Sequence, residues 1–189
     1  MPFFARWRAE RDLQRKAVSF VEALFRDPAD ADVEWLAGAA TRGDVDHARW
    51  ELRYARRSLG LIAAQRDALD DRTASIVAKA ISEAFTRDPN IALEMVDTSE
   101  RQFNARLSAY RDGLAAKAGA PTQIRMGQTL MAFAGGSFKK QDANIVRAGE
   151  LLDSYLTEAN EALRASFGTA ALPENVAPSA LIGGGPPTV

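Results

Sequence analysis

Within twelve consecutive residues, Asp46-His47-Ala48-Arg49-Trp50-Glu51-Leu52-Arg53-Tyr54-Ala55-Arg56-Arg57, stand the chain's single histidine, four arginines, a tryptophan and a tyrosine. An imidazole titrates near neutral pH, and Asp44 and Glu51 lie three before and four after His47, on its own side of a helix. That is the raw material of acid–base or metal chemistry. One histidine, however, cannot meet the demands of a helical di-iron centre, which takes Glu-x-x-His sets from several helices. Nor can it supply the usual zinc set, and the chain has no cysteine. A Ser-His-Asp arrangement would want a Gly-x-Ser-x-Gly elbow, which does not occur. His47 is therefore expected near the start of a helix, hydrogen-bonded beside Asp44 and Asp46. No catalytic residue, metal or cofactor is assigned.

The arginines point to different chemistry. A guanidinium offers a rigid fork of donors that suits carboxylates and phosphates, and it stacks on aromatic faces. At 3.6 residues per turn, Ala48, Leu52, Ala55, Leu59 and Ile62 make an apolar stripe, with Arg49, Arg53 and Arg56 in a row beside it. Trp50, Tyr54 and Arg57 flank that row. Arg49, Trp50, Arg53, Tyr54, Arg56 and Arg57 are thus the candidate partner-binding residues, expected on the outward side of their helix. The competing reading is an ordinary charged face paired with nearby acids. Exposed pairs of that kind contribute about 0–1 kcal/mol and carry no message about function.

The elements that must position these residues are all helical. A first helix is predicted over 4–25 from Leu13, Ala17, Phe20, Val21 and Leu24, stopped at Asp27-Pro28. A short one follows over 33–41 behind the acidic caps Asp30 and Asp32, closed by Gly43. Asp44 caps the helix of the arginine row, which runs to about 68, with Gly60 marking a close helix approach. Asp70 and Asp71 cap the next, whose face Ile76, Val77, Ala80, Ile81, Ala84 and Phe85 should fold back on its predecessor as an antiparallel hairpin. Asp88-Pro89 ends that helix.

Asp97 with Glu100 resembles a capping box for a helix lined by Phe103, Leu107, Tyr110 and Leu114. Another is expected over 122–134. The last carries Ile145, Gly149, Leu152, Leu156, Ala159, Leu163 and Phe167, alternating steps of four and three as in a bundle seam. No segment alternates as a strand would, and no fixed period repeats. The fold expected is all-α, an irregular bundle of six or seven helices forming one domain over 1–167, with a flexible Pro/Gly-rich tail over 168–189.

Composition bounds the rest. The 189 residues suffice for one core, and 47% apolar with 26% charged residues is ordinary for a globular chain. A net charge of −1 disfavours nucleic acid as the main partner. No run of about 18 apolar residues could span a membrane. Charges interrupt the first eight residues where a signal peptide needs its apolar stretch, so cytoplasmic residence is expected. Arginine in excess of lysine suits a GC-rich bacterial genome.

Phe3, Phe4 and Trp7 among Arg6, Arg8 and Arg11 have the character of a membrane-surface helix, but Glu10 and Asp12 break the charge, and packing of Trp7 onto the bundle is preferred. The function expected is a non-catalytic interaction or regulatory protein. Its protein partner, or a second copy of the chain, would dock on the Arg/Trp/Tyr face or on an exposed seam of the last helix. The alternative is a small-molecule-binding or catalytic helical protein with a pocket between helices, lined by Met126, Met131, Tyr110 or Trp50. Nucleic-acid or membrane-surface contact through the basic first helix ranks third.

Overall fold

A computed structural model describes residues 2–67, 71–136 and 142–168. Among these residues there are seven α-helices and no strand. They are α1 (Pro2–Leu24), α2 (Asp30–Ala39), α3 (Val45–Asp67), α4 (Asp71–Arg87), α5 (Val96–Ala115), α6 (Thr122–Phe133) and α7 (Ala143–Phe167). A single 3-10 turn, Leu93–Met95, leads into α5. The architecture is the all-α bundle expected; the segment 169–189, read from sequence as a flexible tail, lies outside the described residues.

Local chemistry accounts for most boundaries. Asp44 caps α3 by accepting the His47 backbone N–H at 2.9 Å, and Asp142 caps α7 by accepting from Asn144 at 2.9 Å. Gly43, at φ 89°, closes the turn after α2 and donates to the Ala37 carbonyl at 2.8 Å. Two expected caps are corrected. The first helical residue of α2 is Asp30 itself, behind an Ala29 that has no capping side chain. Asp30 and Asp32 thus act on the helix dipole from inside the first turn. Similarly α5 starts at Val96 behind Met95, and no Asp97–Glu100 box forms. Glu100 instead accepts a hydrogen bond from the Ser82 hydroxyl of α4 at 2.6 Å.

α3 lies at the centre and touches every other α-helix. Its apolar stripe of Ala48, Leu52, Ala55 and Leu59 is fully buried. Phe20, Leu36, Ile81, Leu130, Ile145 and Leu152 meet it or its neighbours in one continuous core. Each such side chain contributes about 1.5–3 kcal/mol by leaving water. α3 and α4 are antiparallel, with Phe85 at the end of α4 reaching back to Arg57. Gly60 gives room to Leu24 of α1, the close approach its position suggested.

The tightest contact joins α6 and α7. A methyl group on Gly127 would overlap the Ile145 carbonyl, and one on Gly149 the Gln123 carbonyl. In the regular seam of α7, Ile145, Gly149, Leu152, Ala159 and Leu163 are buried within the bundle and Leu156 and Phe167 are half-buried. The seam is therefore not the exposed docking edge considered from the sequence.

Candidate functional site

The middle of the polar side of α3 is turned away from water. Arg57 is 1% exposed, Arg53 5%, and Tyr54 is buried with them; Arg49, Trp50 and Arg56 are half-buried. This corrects the outward orientation expected for the row. The reason lies in carboxylates supplied by other segments, one for each arginine. Arg49 pairs with Asp30 at 2.9 Å, and Arg53 with Asp27 through Nε at 2.8 Å and Nη2 at 2.6 Å. Arg56 pairs with Glu158 of α7 at 2.6 Å, and Arg57 with Asp88 at 2.7 Å. Aromatic faces complete the cover. Arg57 lies 3.7 Å from the centre of the Phe25 ring, Arg53 is 4.7 Å from that of Trp50, and Arg56 is 5.4 Å from that of Tyr155.

A fifth ion pair, not foreseen from the sequence, sits on the same helix. Glu51, 2% exposed, accepts both prongs of Arg106 from α5, at 3.0 Å from Nε and 2.5 Å from Nη2. The Arg106 guanidinium is sandwiched near Phe133 (4.4 Å) and Tyr54 (5.2 Å), and it also donates to the Gln102 carbonyl at 3.3 Å. His47 reaches this pair from the surface, its Nε2 3.4 Å from Glu51 Oε1. Among the described residues no group of three or more His, Asp or Glu side chains is placed to hold a metal ion.

Electrostatics follows burial. Desolvation lowers the pKa of Arg57 even against the pull of Asp88. Burial alone would raise Asp88, but hydrogen bonds from the Asn90 amide and side chain and from Arg57 outweigh it and hold the carboxyl below its ordinary value. Burial raises Tyr54, Tyr110 and Tyr155. Five buried side-chain atoms lack a hydrogen-bond partner among the described residues: Arg57 Nε and Nη1, Ser58 Oγ and the hydroxyls of Tyr110 and Tyr155. The two Arg57 nitrogens belong to a cation packed on aromatic rings, which supply electrostatic attraction in place of acceptors. Chemically, the α3 face is a set of closed pairs that ties segments together.

The exposed surface with the matching residue types lies on α1. Trp7 is 48% exposed and Val18 38%, whereas packing of Trp7 into the bundle was expected. Trp7, Arg11, Gln14, Val18, Val21 and Phe25 follow one another in steps of four and three, so they share one face. Arg11 lies over the Trp7 ring at 4.4 Å. The side chains of Phe3, Phe4 and Arg6, which entered the membrane-surface reading, lie outside the described residues. No described helix is long and apolar enough to cross a membrane.

Several cavities border these elements. One of about 340 Å³ opens where α1 and α4 end side by side, floored by Val21, Phe25, Ala80 and Ala84 and bordered by charges of both signs, Glu22, Asp27, Arg87 and Asp88. Another, of about 290 Å³, lies between α3, α5, α6 and α7, lined by Leu59, Leu114, Met126, Gly149, Leu152 and Leu156. Of the residues named from sequence for an interhelical pocket, only Met126 lines this one; Met131 and Tyr110 are buried in the core. Set against protein-family models, curated proteins and solved structures, the chain matches none.

Proposed function

We propose that this chain is a non-catalytic docking protein whose partner, another protein, seats on the outer face of α1. The observation that carries this reading is the exposed strip Trp7–Arg11–Val18, with Arg11 stacked on the Trp7 ring. Tryptophan and arginine are the residue types that most often dominate binding energy, and a stacked pair has less freedom left to lose on binding. The arginine row of α3, by contrast, is engaged with carboxylates of its own chain. Trp7→Ala and Arg11→Glu alter exposed positions, so melting temperature and helicity should hold. Capture of a protein partner from the native source should fall at least tenfold. Undiminished capture by both variants would overturn the reading.

The 290 Å³ cavity supports a second reading, a site for a small apolar molecule whose polar end meets Thr122, Gln123 and Asp153 at the rim. Uptake of an apolar fluorophore by the folded chain, blocked by Leu152→Trp, would favour it. No uptake would remove it.

A further inference from the structure

We infer that the chain beyond α7 doubles back as a strap over the groove between α1 and α7, with Leu172 seated between the two helices and Glu174 against Arg26. The strap ties the first helix of the bundle to the last. It is independent of any partner on the outer face of α1.

The groove, of about 530 Å³, runs between the second halves of α1 and α7. Its walls are small side chains, Ser19 and Ala23 from α1 and Ala159, Ala162, Ala165 and Ser166 from α7. The two helices are antiparallel here. Phe20 meets Phe167 at one end, ring centres 6.4 Å apart, and Arg26, Tyr155, Glu158 and Arg56 of α3 close the other. Small walls alone specify nothing, but two further observations do. Tyr155, 3% exposed, lines the closed end, and its hydroxyl has no hydrogen-bond partner among the described residues. A buried hydroxyl in that state needs a polar atom beside it. The bordering charges also nearly cancel. Arg56 is engaged by Glu158 at 2.6 Å, which leaves Arg26 and Glu161 without an ion pair among the described residues. Glu22, one turn before Arg26, borders the α4 side of α1 and not this groove. An occupant of low charge is therefore required.

The chain supplies one. α7 ends at Phe167, and Gly168, at φ 84°, turns the backbone off the helix axis two residues past Ser166, at the mouth of the groove. The sequence continues Thr169-Ala170-Ala171-Leu172-Pro173-Glu174-Asn175-Val176, with a single charge. A proline favours an extended residue before it and brings no N–H that burial would leave unpaired. The register follows from chain lengths. An extended segment advances about 3.3 Å per residue and a helix about 1.5 Å, so four residues back from Gly168 bring Leu172 level with Ala162, with about 4 Å left for the turn. Two more bring Glu174 level with Glu158 and opposite Arg26, and the Asn175 backbone then arrives at Tyr155. Leu172 and Glu174, two apart, face the same way. Glu161 falls beside the uncharged Pro173.

The chain has no cysteine, so introduced pairs report this register without background. In the full chain, Ala162→Cys with Leu172→Cys should close a disulfide under mild oxidation at least tenfold faster than Arg164→Cys with Leu172→Cys, because Arg164 is exposed on α7 outside the groove. Ala23→Cys reaches the same level from α1 and should match Ala162→Cys. Glu174→Arg should slow the Ala162 pair at least fivefold, and adding Arg26→Glu should restore it. Equal rates from positions 162 and 164 overturn the inference, as does a rate indifferent to Glu174→Arg or unrestored by Arg26→Glu. Disulfide-linked dimers as the main product at about 1 μM would give the groove to a second copy and overturn it as well. Circular dichroism melts separate loss of the strap from loss of the fold, and the Ala23 pair decides if the Ala162 pair does not fold.

Discussion

At the scale of single residues, Arg57 poses the sharpest energetic question. A guanidinium that is 1% exposed has given up its hydration for one carboxylate bond and three aromatic neighbours, Phe25, Phe85 and Trp50. Buried pairs of this kind are weak net stabilisers, but breaking one strands the other charge. Arg57→Met should therefore cost about 3–5 kcal/mol in urea unfolding, because Asp88 keeps only its Asn90 bonds. Adding Asp88→Asn to Arg57→Met removes the stranded charge and should recover a large part of that loss. Equal instability of the single and double variants would show that the arginine matters through its volume and not through its charge.

At the scale of helices, much was legible in the sequence, for physical reasons that can be named. The face of α4 is read from Val77, Ala80, Ile81 and Phe85 because a 3.6-residue period and burial are the same fact there. The burial of α3's arginines was not legible, since a helix charged beside its apolar stripe reads as half-solvated. The missing information was long-range: Asp27 and Asp88 were recognised only as residues before prolines that stop helices. Two Asp-Pro helix ends, with arginines one turn apart elsewhere in the chain, form a pairing pattern that periodicity within one helix cannot express. Gly60 of α3 shows the opposite case, where a small residue in a helix correctly marks close approach, here of Leu24.

Gly127→Ala should destabilise by about 1–3 kcal/mol or more, because the added methyl meets the backbone of Ile145, which cannot rotate away. Gly38→Ala at an exposed position of α2 meets nothing within 4 Å and should stabilise by about 0.5–1 kcal/mol. Thermal melts of the two variants that moved in the same direction would contradict this account of the α6/α7 contact.

At the scale of the whole molecule, the three tyrosines link stability to alkali. The chain has three, and burial raises the pKa of each. A raised folded-state value means that the stabilisation is fully present below the ordinary tyrosine value of 10.0 and is lost as pH climbs toward the folded values. Phenolate absorbance near 295 nm should accordingly stay low until unfolding sets in above pH 10, and then rise for all three rings together with loss of helicity. A tyrosine that titrated near 10 in the still-folded chain would show that its ring is wetter than described.

The central place of α3 also orders events in time. During synthesis its 23 residues are joined before any of α4, α5 or α7 exists. Asp27 and Asp30 are then already made, but Asp88, Arg106 and Glu158 are not. Arg57 and Glu51 would have to enter an apolar interior without counter-charges, so α3 has reason to remain solvated while the chain grows. Its burial waits for the helices that carry the opposite charges, and Glu158 arrives with the last of them. The helix at the middle of the finished bundle is thus among the first to be made and the last to be fully enclosed.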